Sequence, residues 1–236
     1  MSRGTRVAID VGGTFTDVVT LDGESAALKF DKVPTTPSHP EEGVLDGFAA
    51  SGAPMPDIET FIHGTTLGLN ALLTRRGART GIVTTKGFRD VYLLGRTDRI
   101  PMYDFKYRKP ATLVQRQHIV EVDERLDFEG RVLTPFDEEG AAAAARAIRD
   151  MGLDSVAVCF LHSYVNPDHE VRMAEILQAE APDVVVTISS DLSRQLREFE
   201  RTSTAVLDSY IKPIVRSYLD KLEGVIWYDG RLVPWA

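Results

Sequence analysis

Cysteine is almost absent from this sequence of 236 residues, because Cys159 is the single one. One thiol cannot form an internal disulfide or anchor a cysteine-rich metal centre, and no basic segment followed by an apolar run marks a secretory signal. We therefore expect a cytoplasmic protein. No apolar stretch approaches the ~20 residues that a membrane-spanning helix needs, so we expect no membrane partner.

Positive charge is also in short supply. The chain has 27 Lys and Arg residues against 35 Asp and Glu residues, which gives a formal net charge of −8. Such a surface repels phosphate backbones, so we expect no nucleic-acid partner. Two familiar phosphate-binding motifs are missing as well, since no G-x-G-x-x-G opens a helix and no G-x-x-x-x-G-K-[ST] occurs in the sequence.

Strand and helix patterns alternate along the chain, which predicts an α/β fold with a mixed sheet. Three β-rich runs, at residues 6–10, 14–21 and 26–33, predict an antiparallel meander. Glycine tolerates positive φ angles, and we expect them at Gly12 and Gly13 in the first turn. Further strands are predicted at 60–63, 80–85, 117–128, 155–161 and 183–189, and helices at 40–51, 66–76, 135–151, from 166, and 193–222.

The most informative motif is IDVGGTFTD, which spans Ile9–Asp17. A carboxylate at the end of a strand, two glycines in the turn and hydroxyls on the returning strand would form a concave hairpin whose N–H groups can approach a phosphate. Asp10 and Asp17 place negative charge beside that site, which favours a divalent cation such as Mg²⁺ between carboxylate and phosphate. The alternative is an ordinary tight hairpin with a polar turn.

This motif resembles the first phosphate loop of the actin/hexokinase/Hsp70 ATPase superfold. Three further strings resemble, in the same order, the N-terminal part of hydantoinase A/5-oxoprolinase proteins, relatives of the acetone carboxylase β subunit. They are FIHGTTLGLNALLTRRGARTGIVTTKGFRDV (Phe61–Val91), SVAVCFLHSYVNPDHE (Ser155–Glu170) and REFERTSTAVLDSYIKP (Arg197–Pro213). The resemblance, from about Val7 to about Leu222, implies a ribonuclease-H-like mixed sheet that begins with the meander and forms the first lobe of such an ATPase.

The resemblance also implies an activity. Family members use ATP and Mg²⁺ to phosphorylate an otherwise unreactive oxygen, and then cleave a cyclic amide such as 5-oxoproline or a hydantoin, or carboxylate a ketone. Phosphorylation suits this chemistry because an amide or enol oxygen is a poor leaving group and a phosphoryl group makes it a good one. The expected ligands are therefore ATP, Mg²⁺ and a small cyclic amide or ketone.

Carried over residue by residue, the resemblance gives roles to the hairpin. Asp10 and Asp17 are the expected catalytic residues, and Asp10 would hold Mg²⁺ directly or through water. Asp17 would either orient the waters of the metal or fix the hairpin. The expected phosphate-binding residues are Gly12, Gly13, Thr14 and Thr16.

A strand end that passes through a glycine into a helix supplies a second group of candidates. Its threonines can cap the helix, and free N–H groups there would offer an anion or carbonyl site. A plain helix cap beside a satisfied histidine is the alternative reading, and an internal contact between Arg89 and Asp90 is the alternative to an anion clamp. The candidate substrate-binding residues are His63, Gly64, Thr65, Thr66, Asn70 and Arg89.

Several other polar residues are expected to lack a chemical role. Cys159 lies in an apolar strand and is expected in the core. His162 and His169 have no standard metal-ligand spacing, which favours surface or capping positions. A solvated helix face with local ion pairs is the simplest role for Arg197, Glu198, Glu200 and Arg201.

The domain prediction is a lobe over residues 1–222, with a candidate sub-boundary near 96–116, followed by a divergent tail at 223–236. Because the sequence holds one phosphate loop and no second, we expect a truncated or split enzyme whose ATP site needs a second lobe, and whose activity needs a B-type subunit. The rivals are a small-molecule kinase of the same superfold and an inert remnant that only binds a partner subunit.

Overall fold

The computed structural model describes residues 4–96 and 103–222, and the backbone of 227–228 and 231–232. The chain divides into two compact units: residues 1–76 with 214–236 form the first, and residues 77–213 form the second. The sub-boundary predicted near 96–116 falls partly outside the described residues, as does most of the tail at 223–236, and both stay predictions. Within the described ranges no helix is long and apolar enough to cross a membrane.

The elements predicted from the sequence occur in the predicted order, most with shifted ends, and α3, α6, β8, β11 and β12 are additional. The strands are β1 Thr5–Val11, β2 Phe15–Leu21, β3 Leu28–Pro34, β4 Ile58–Thr65, β5 Thr80–Thr85, β6 Ile119–Val122, β7 Arg125–Leu126, β8 Val132–Thr134, β9 Ser155–Cys159, β10 Val185–Ile188, β11 Trp227–Tyr228 and β12 Arg231–Leu232. The helices are α1 Pro40–Ser51, α2 Leu67–Leu73, α3 Val91–Leu94, α4 Glu138–Asp150, α5 Asp168–Glu180, α6 Ser189–Leu192 and α7 Glu198–Leu222.

The first unit contains a mixed four-stranded sheet in the order β3-β2-β1-β4. The predicted meander is confirmed, because β2 pairs antiparallel with both β1 and β3, and β4 adds parallel to β1. Alternation along the strands places Val7, Ile9 and Val18 on one face, where they pack with Val44 of α1 and Tyr218 of α7. Helix α1 has the bounds predicted: Pro40 presets φ in its first turn, and Gly52 closes it in the left-handed conformation.

The second unit contains a parallel four-stranded sheet in the order β10-β9-β5-β6. Strands β5 and β9 are buried along their whole length. Val83, Val156 and Val158 pack with α4 and α5 on one face, while Ile82 and Ala157 pack with α7 on the other. The predicted α/β fold with a mixed sheet that begins with the meander is confirmed. The later parallel strands form a second sheet of their own, and because they are apolar on both sides, helices cover both of its faces.

Two predicted elements are wrong in their extent. The extended strand expected at 117–128 is three pieces: a 3₁₀ turn at Arg116–His118, then β6 and β7. The helix expected at 193–222 begins only at Glu198, because the chain leaves α6 at Leu192 and Arg197 adopts a φ of 90° that no helix contains.

Candidate functional site

A row of four residues crosses the sheet of the first unit at one end. The pairing places Asp10 of β1 opposite Gly64 of β4 on one side and opposite Asp17 of β2 on the other, and Asp17 opposite Lys32 of β3. Laterally paired residues share a face of a sheet, so two carboxylates and one ammonium group lie side by side.

Asp10 and Asp17 are both exposed, but Asp10 is the acid of this row that has no ion-pair partner among the described residues. It makes no ion pair of 4 Å or less with any described residue, and a Cβ built on Gly64 would lie 2.9 Å from its Oδ1 atom. Any side chain at residue 64 would therefore crowd the carboxylate. The Asp10 carboxylate is therefore free to bind a metal ion or to accept hydrogen bonds from a ligand. The neighbouring backbone at Gly64 carries no side chain that would obstruct that ligand.

Asp17 has a partner of its own. Its Oδ1 lies 2.5 Å from Nζ of Lys32, and both side chains are about half exposed, at 55% each. Of the two roles left open by the sequence, fixing the hairpin is the one that this contact favours. The Lys32 charge offsets Asp17, which leaves Asp10 as the carboxylate of the row without a counter-charge.

The turn between β1 and β2 is held by a hydrogen bond from the Gly12 N–H to the Phe15 carbonyl, at 3.0 Å. The expectation of positive φ at Gly12 and Gly13 is wrong, because neither glycine lies in the left-handed region. Glycine is required at both positions because neighbouring atoms lie too close for a side chain. A Cβ at Gly12 would lie 2.7 Å from the Phe15 carbonyl oxygen, and a Cβ at Gly13 would lie 2.9 Å from Nδ2 of Asn70.

The N–H groups of Gly13 and Thr14 have no acceptor among the described residues. Thr14 is exposed, and its carbonyl accepts from the Thr35 N–H at 3.0 Å. Thr16 lies on the other face, where its fully buried hydroxyl shares a 2.8 Å hydrogen bond with that of Thr35. The exposed part of the turn is therefore Gly13-Thr14, and the Thr16 side chain faces away from Asp10.

The end of β4 and the start of α2 lie beside this turn. The Thr65 hydroxyl donates to the Val11 carbonyl at 3.3 Å and accepts from the Leu67 N–H at 3.2 Å, so Thr65 ties β1 to the helix start. Asn70 Nδ2 donates to the Thr66 hydroxyl at 3.1 Å and reaches the space over Gly13. The structure thus brings most of the predicted positions to the end of the sheet that carries Asp10; they are Gly12, Gly13, Thr14, Gly64, Thr65, Thr66 and Asn70.

His63 is engaged internally. Its Nδ1–H donates to the Ile9 carbonyl at 3.2 Å, which leaves Nε2 to accept from the Tyr218 hydroxyl at 2.7 Å. Burial lowers the pKa of His63, and burial likewise raises the pKa of Tyr218 to about 12. A neutral imidazole and a protonated phenol result. Sequence reasoning missed Tyr218, although its place on the apolar face of α7 was available as a signal.

Arg89 belongs to the second unit. Its Nη2 donates to the Arg116 carbonyl at 3.1 Å, and its Nε is buried without a partner among the described residues. Asp90 is paired with Arg116 through two hydrogen bonds of 2.7 and 3.1 Å, and those bonds hold the pKa of Asp90 below its ordinary value. Arg89 forms no hydrogen bond with Asp90 in the described part of the chain, but its charge helps to lower the pKa of Asp90, so the internal contact considered above stays a prediction.

A buried polar network follows the carboxyl ends of the strands in the second unit, and it corrects two expectations. Arg201 is 1% exposed rather than solvated, and its guanidinium donates to the Ser189 hydroxyl at 3.0 Å and to the Phe160 carbonyl. His169 is buried rather than superficial, because its Nδ1 lies 2.8 Å from Oε2 of the buried Glu124. Cys159 is buried, as expected, and burial raises its thiol pKa.

The donor set of the first unit fits a nucleotide phosphate bound with Mg²⁺. Among residues 4–96 and 103–222 no group of three or more His, Cys, Asp or Glu side chains could hold a metal ion by itself. Mg²⁺ is commonly bound through one or two carboxylates, with waters and phosphate oxygens completing the shell. Asp10 offers such a carboxylate, and the Gly13 and Thr14 N–H groups offer phosphate donors in a turn that a Cβ would obstruct.

Comparison with known proteins gives a consistent result. Residues 6–181 match the family model of the hydantoinase/oxoprolinase N-terminal region. The acetophenone carboxylase gamma subunit of Aromatoleum aromaticum is 38% identical over 87% of this chain and 31% of its own length. The solved structure of ATP-dependent caprolactamase from Pseudomonas jessenii matches with a TM-score of 0.81 at 30% identity, over 93% of this chain and 33% of that one.

A nucleotide-free structure of acetone carboxylase, described as carrying out ATP-dependent carboxylation, matches with a TM-score of 0.83 at 27% identity. It covers 93% of this chain and 34% of the carboxylase chain. The chain therefore spans about a third of the length of these relatives.

Proposed function

Because the chain belongs to the hydantoinase/oxoprolinase family through its N-terminal region, we propose that it supplies the phosphate-facing half of an ATP site. The enzyme would activate the oxygen of a cyclic amide, or of a ketone, by phosphorylation, for hydrolysis or carboxylation. The other half of the site, and a B-type subunit, would come from outside this sequence. A cytoplasmic location, inferred from the single cysteine, is part of the proposal.

The observation that carries the proposal is the open end of the sheet in the first unit. Asp10 has no counter-charge among the described residues, and the adjacent N–H groups of Gly13 and Thr14 have no acceptor there. Unpaired donors next to an unpaired carboxylate are matched by a phosphate and a divalent cation together. A hairpin with a purely structural role would leave both kinds of group to water.

Each residue of the site would have a separate role in binding the nucleotide and the metal ion. Asp10 would hold Mg²⁺, and the Gly13 and Thr14 N–H groups would donate to phosphate oxygens. Asn70 would flank the glycine turn, and Asp17 would stay with Lys32. When bound, Mg-ATP supplies the phosphoryl group that converts an amide oxygen into a leaving group. Thr16 and His63 would position the two strands rather than touch the ligand.

The likeness to caprolactamase and to carboxylases supports this reaction class. Both solved structures are of ATP-dependent enzymes, and the two enzymes differ in the bond that is made or broken. A cyclic amide and a ketone have in common a carbonyl oxygen that phosphorylation can trap. We propose a cyclic amide as the substrate of the complete enzyme, with a ketone as the second candidate favoured by the carboxylase relatives.

Calorimetric titration with Mg-ATP, alongside amide NMR of the ¹⁵N-labelled chain, tests the nucleotide site. We expect saturable shifts at the Gly13 and Thr14 amides, and an affinity for Mg-ATP about tenfold or more weaker in Asp10→Asn, a change of ~1.4 kcal/mol. Asp46→Asn, at an exposed position of α1, is the matched control. Wild-type affinity in Asp10→Asn, or unmoved turn amides at millimolar Mg-ATP, would contradict the proposal.

A further inference from the structure

The two edge strands of the sheet in the first unit differ in chemistry. β3 carries Lys29, Lys32 and Pro34, and lysine and proline at an edge prevent it from pairing with another strand. β4, at the opposite edge, is eight residues long, contains no Lys, Arg or Pro, and has one charged side chain, Glu59, near its start. The β4 edge therefore lacks the protection that the β3 edge has.

Alternate backbone groups of β4 point away from the sheet. The Thr66 N–H donates to the Val11 carbonyl at 3.2 Å, so the even-numbered residues at this end of β4 direct their backbone groups towards β1. The N–H and C=O groups of Phe61, His63 and Thr65 then face outward, and no described residue bonds to them. These groups form a row of donors and acceptors for a further strand.

The most exposed apolar side chain of β4 belongs to Ile62. It lies beside Ala8 of β1, on the outer face of the sheet, opposite the face that packs against α1. Ile62 is 61% exposed there. An edge strand that combines unpaired backbone groups with an exposed branched side chain has the features of a pairing surface.

A second copy of the chain is complementary to this edge. In an antiparallel pair of two β4 strands with a twofold axis at Ile62, the two Ile62 side chains meet. Phe61 of each copy then exchanges backbone hydrogen bonds with His63 of the other. Glu59 lies towards Thr65 of the other copy, so no like charges are opposed across the pair. The net charge of −8 opposes association, but salt limits this repulsion to about 8 Å under physiological conditions.

From this geometry we propose that the β4 edge pairs with the β4 edge of a second copy, which joins the two four-stranded sheets into one continuous sheet. On the outer face, Gly64 would lie opposite Thr60 of the second copy. Because Gly64 is the lateral neighbour of Asp10, each copy would extend by one hydroxyl the row of the other copy that contains Asp10. The pairing itself does not depend on the proposed nucleotide site.

Analytical ultracentrifugation of the full chain without nucleotide, from low micromolar to the highest soluble concentration, tests this proposal. We expect a reversible equilibrium between monomer and dimer. Amide hydrogen exchange should become slower at Phe61 and His63 as the dimer forms, because their N–H groups acquire acceptors. A monomer at every concentration would overturn the proposal and leave the edge to a strand of another protein. A dimer in which these two amides exchange freely would overturn it as well.

Variants separate this edge from other surfaces. Ile62→Lys places two ammonium groups together at the twofold axis and should weaken the dimer at least about tenfold. Phe30→Lys is the matched control, because Phe30 is 71% exposed on the same face but lies at the opposite edge, and it should dimerise like the wild type. Circular dichroism checks that both variants are folded. An unweakened dimer in a folded Ile62→Lys, or loss of the dimer in Phe30→Lys, would refute the assignment.

Discussion

Carboxylates lie at the strand ends of both units, but they differ in burial and in hydrogen bonding. In the first unit Asp10 is exposed, and no ion pair or hydrogen bond is formed by its carboxylate within the described residues. In the second, Glu170 is fully buried, and its two oxygens accept four hydrogen bonds of 2.6 to 2.9 Å from Phe160, Ser189 and Ser190.

The difference separates charges that serve the fold from charges that are available to a ligand. A buried carboxylate with every lone pair engaged has nothing left to offer, and removing one of its partners leaves an uncompensated charge. An exposed carboxylate beside unpaired N–H groups contributes little to stability but keeps its coordination capacity. Substitutions at the two sheet ends should therefore affect different measurements.

The largest effect is expected for Arg201→Met. The substitution keeps an apolar chain of similar length but removes the guanidinium that contacts Ser189 and the Phe160 carbonyl. Loss of one partner from a buried charged network costs about 3–5 kcal/mol. Guanidinium chloride unfolding, followed by circular dichroism, should show a loss of this size.

Arg194→Met is the matched control, because Arg194 is exposed in the same unit. We expect a change within about 0.5 kcal/mol there. If Arg201→Met cost no more than its control, the buried network would not stabilise the fold, and the contrast between the two units would fail.

A smaller loss is expected for Thr85→Val, which preserves shape. The Thr85 hydroxyl donates to Oε1 of the buried Glu124 and accepts from the Leu161 N–H at 3.0 Å. Its removal leaves two buried groups unpaired, and we expect a loss of about 1–3 kcal/mol in the same unfolding measurement. Thr204→Val, at an exposed position of α7, should change little, and equal losses in the two variants would contradict the assignment.

Local patterns predicted the elements well. The meander follows from three β-rich runs, the first two separated by Gly12-Gly13, and α1 follows from Pro40 and Gly52 at its ends. Asp10 was predicted because an acid before a glycine turn has a local signature. That two sheets form, rather than one, depends on which faces the helices cover, and residues far apart in sequence determine this.

The buried network could not be read from local patterns. Arg201 occurs in a charged stretch that is typical of a solvated helix face, and it is buried because Ser189 and Phe160, 12 and 41 residues away, supply its acceptors. His169 is buried for the same kind of reason, since its partner Glu124 lies 45 residues away. Hydrogen bonds between residues so far apart in sequence form only when the fold brings those residues together, so local sequence patterns do not predict them.

The next effect concerns pH. Burial lowers the pKa of His63 from 6.5, so the folded chain binds fewer protons at this site than the unfolded chain does. Its stabilising contribution is present above pH 6.5 and is lost as the pH falls below that value. Because the imidazole is only half-buried, we expect a difference below about 1 kcal/mol.

Urea unfolding of the wild type and of His63→Gln at pH 7.5 and 5.5 measures this difference. The wild type should lose more stability on acidification than the variant. Tyr218→Phe, which removes the donor to Nε2 of His63, should leave the folded imidazole easier to protonate, so this variant should lose less stability on acidification than the wild type. A pH response that is identical in the three proteins would contradict the role of this pair.

The smallest effect on the fold is expected at Asp10, where the contrast between the units is sharpest. Because no described residue bonds its carboxylate, Asp10→Asn should change the free energy of unfolding by no more than about 0.5 kcal/mol without ligand. Mg-ATP should then stabilise the wild type and not the variant, since a ligand stabilises only the state that binds it. A large loss of stability without ligand would make Asp10 structural, and equal stabilisation of both proteins by Mg-ATP would place the nucleotide elsewhere.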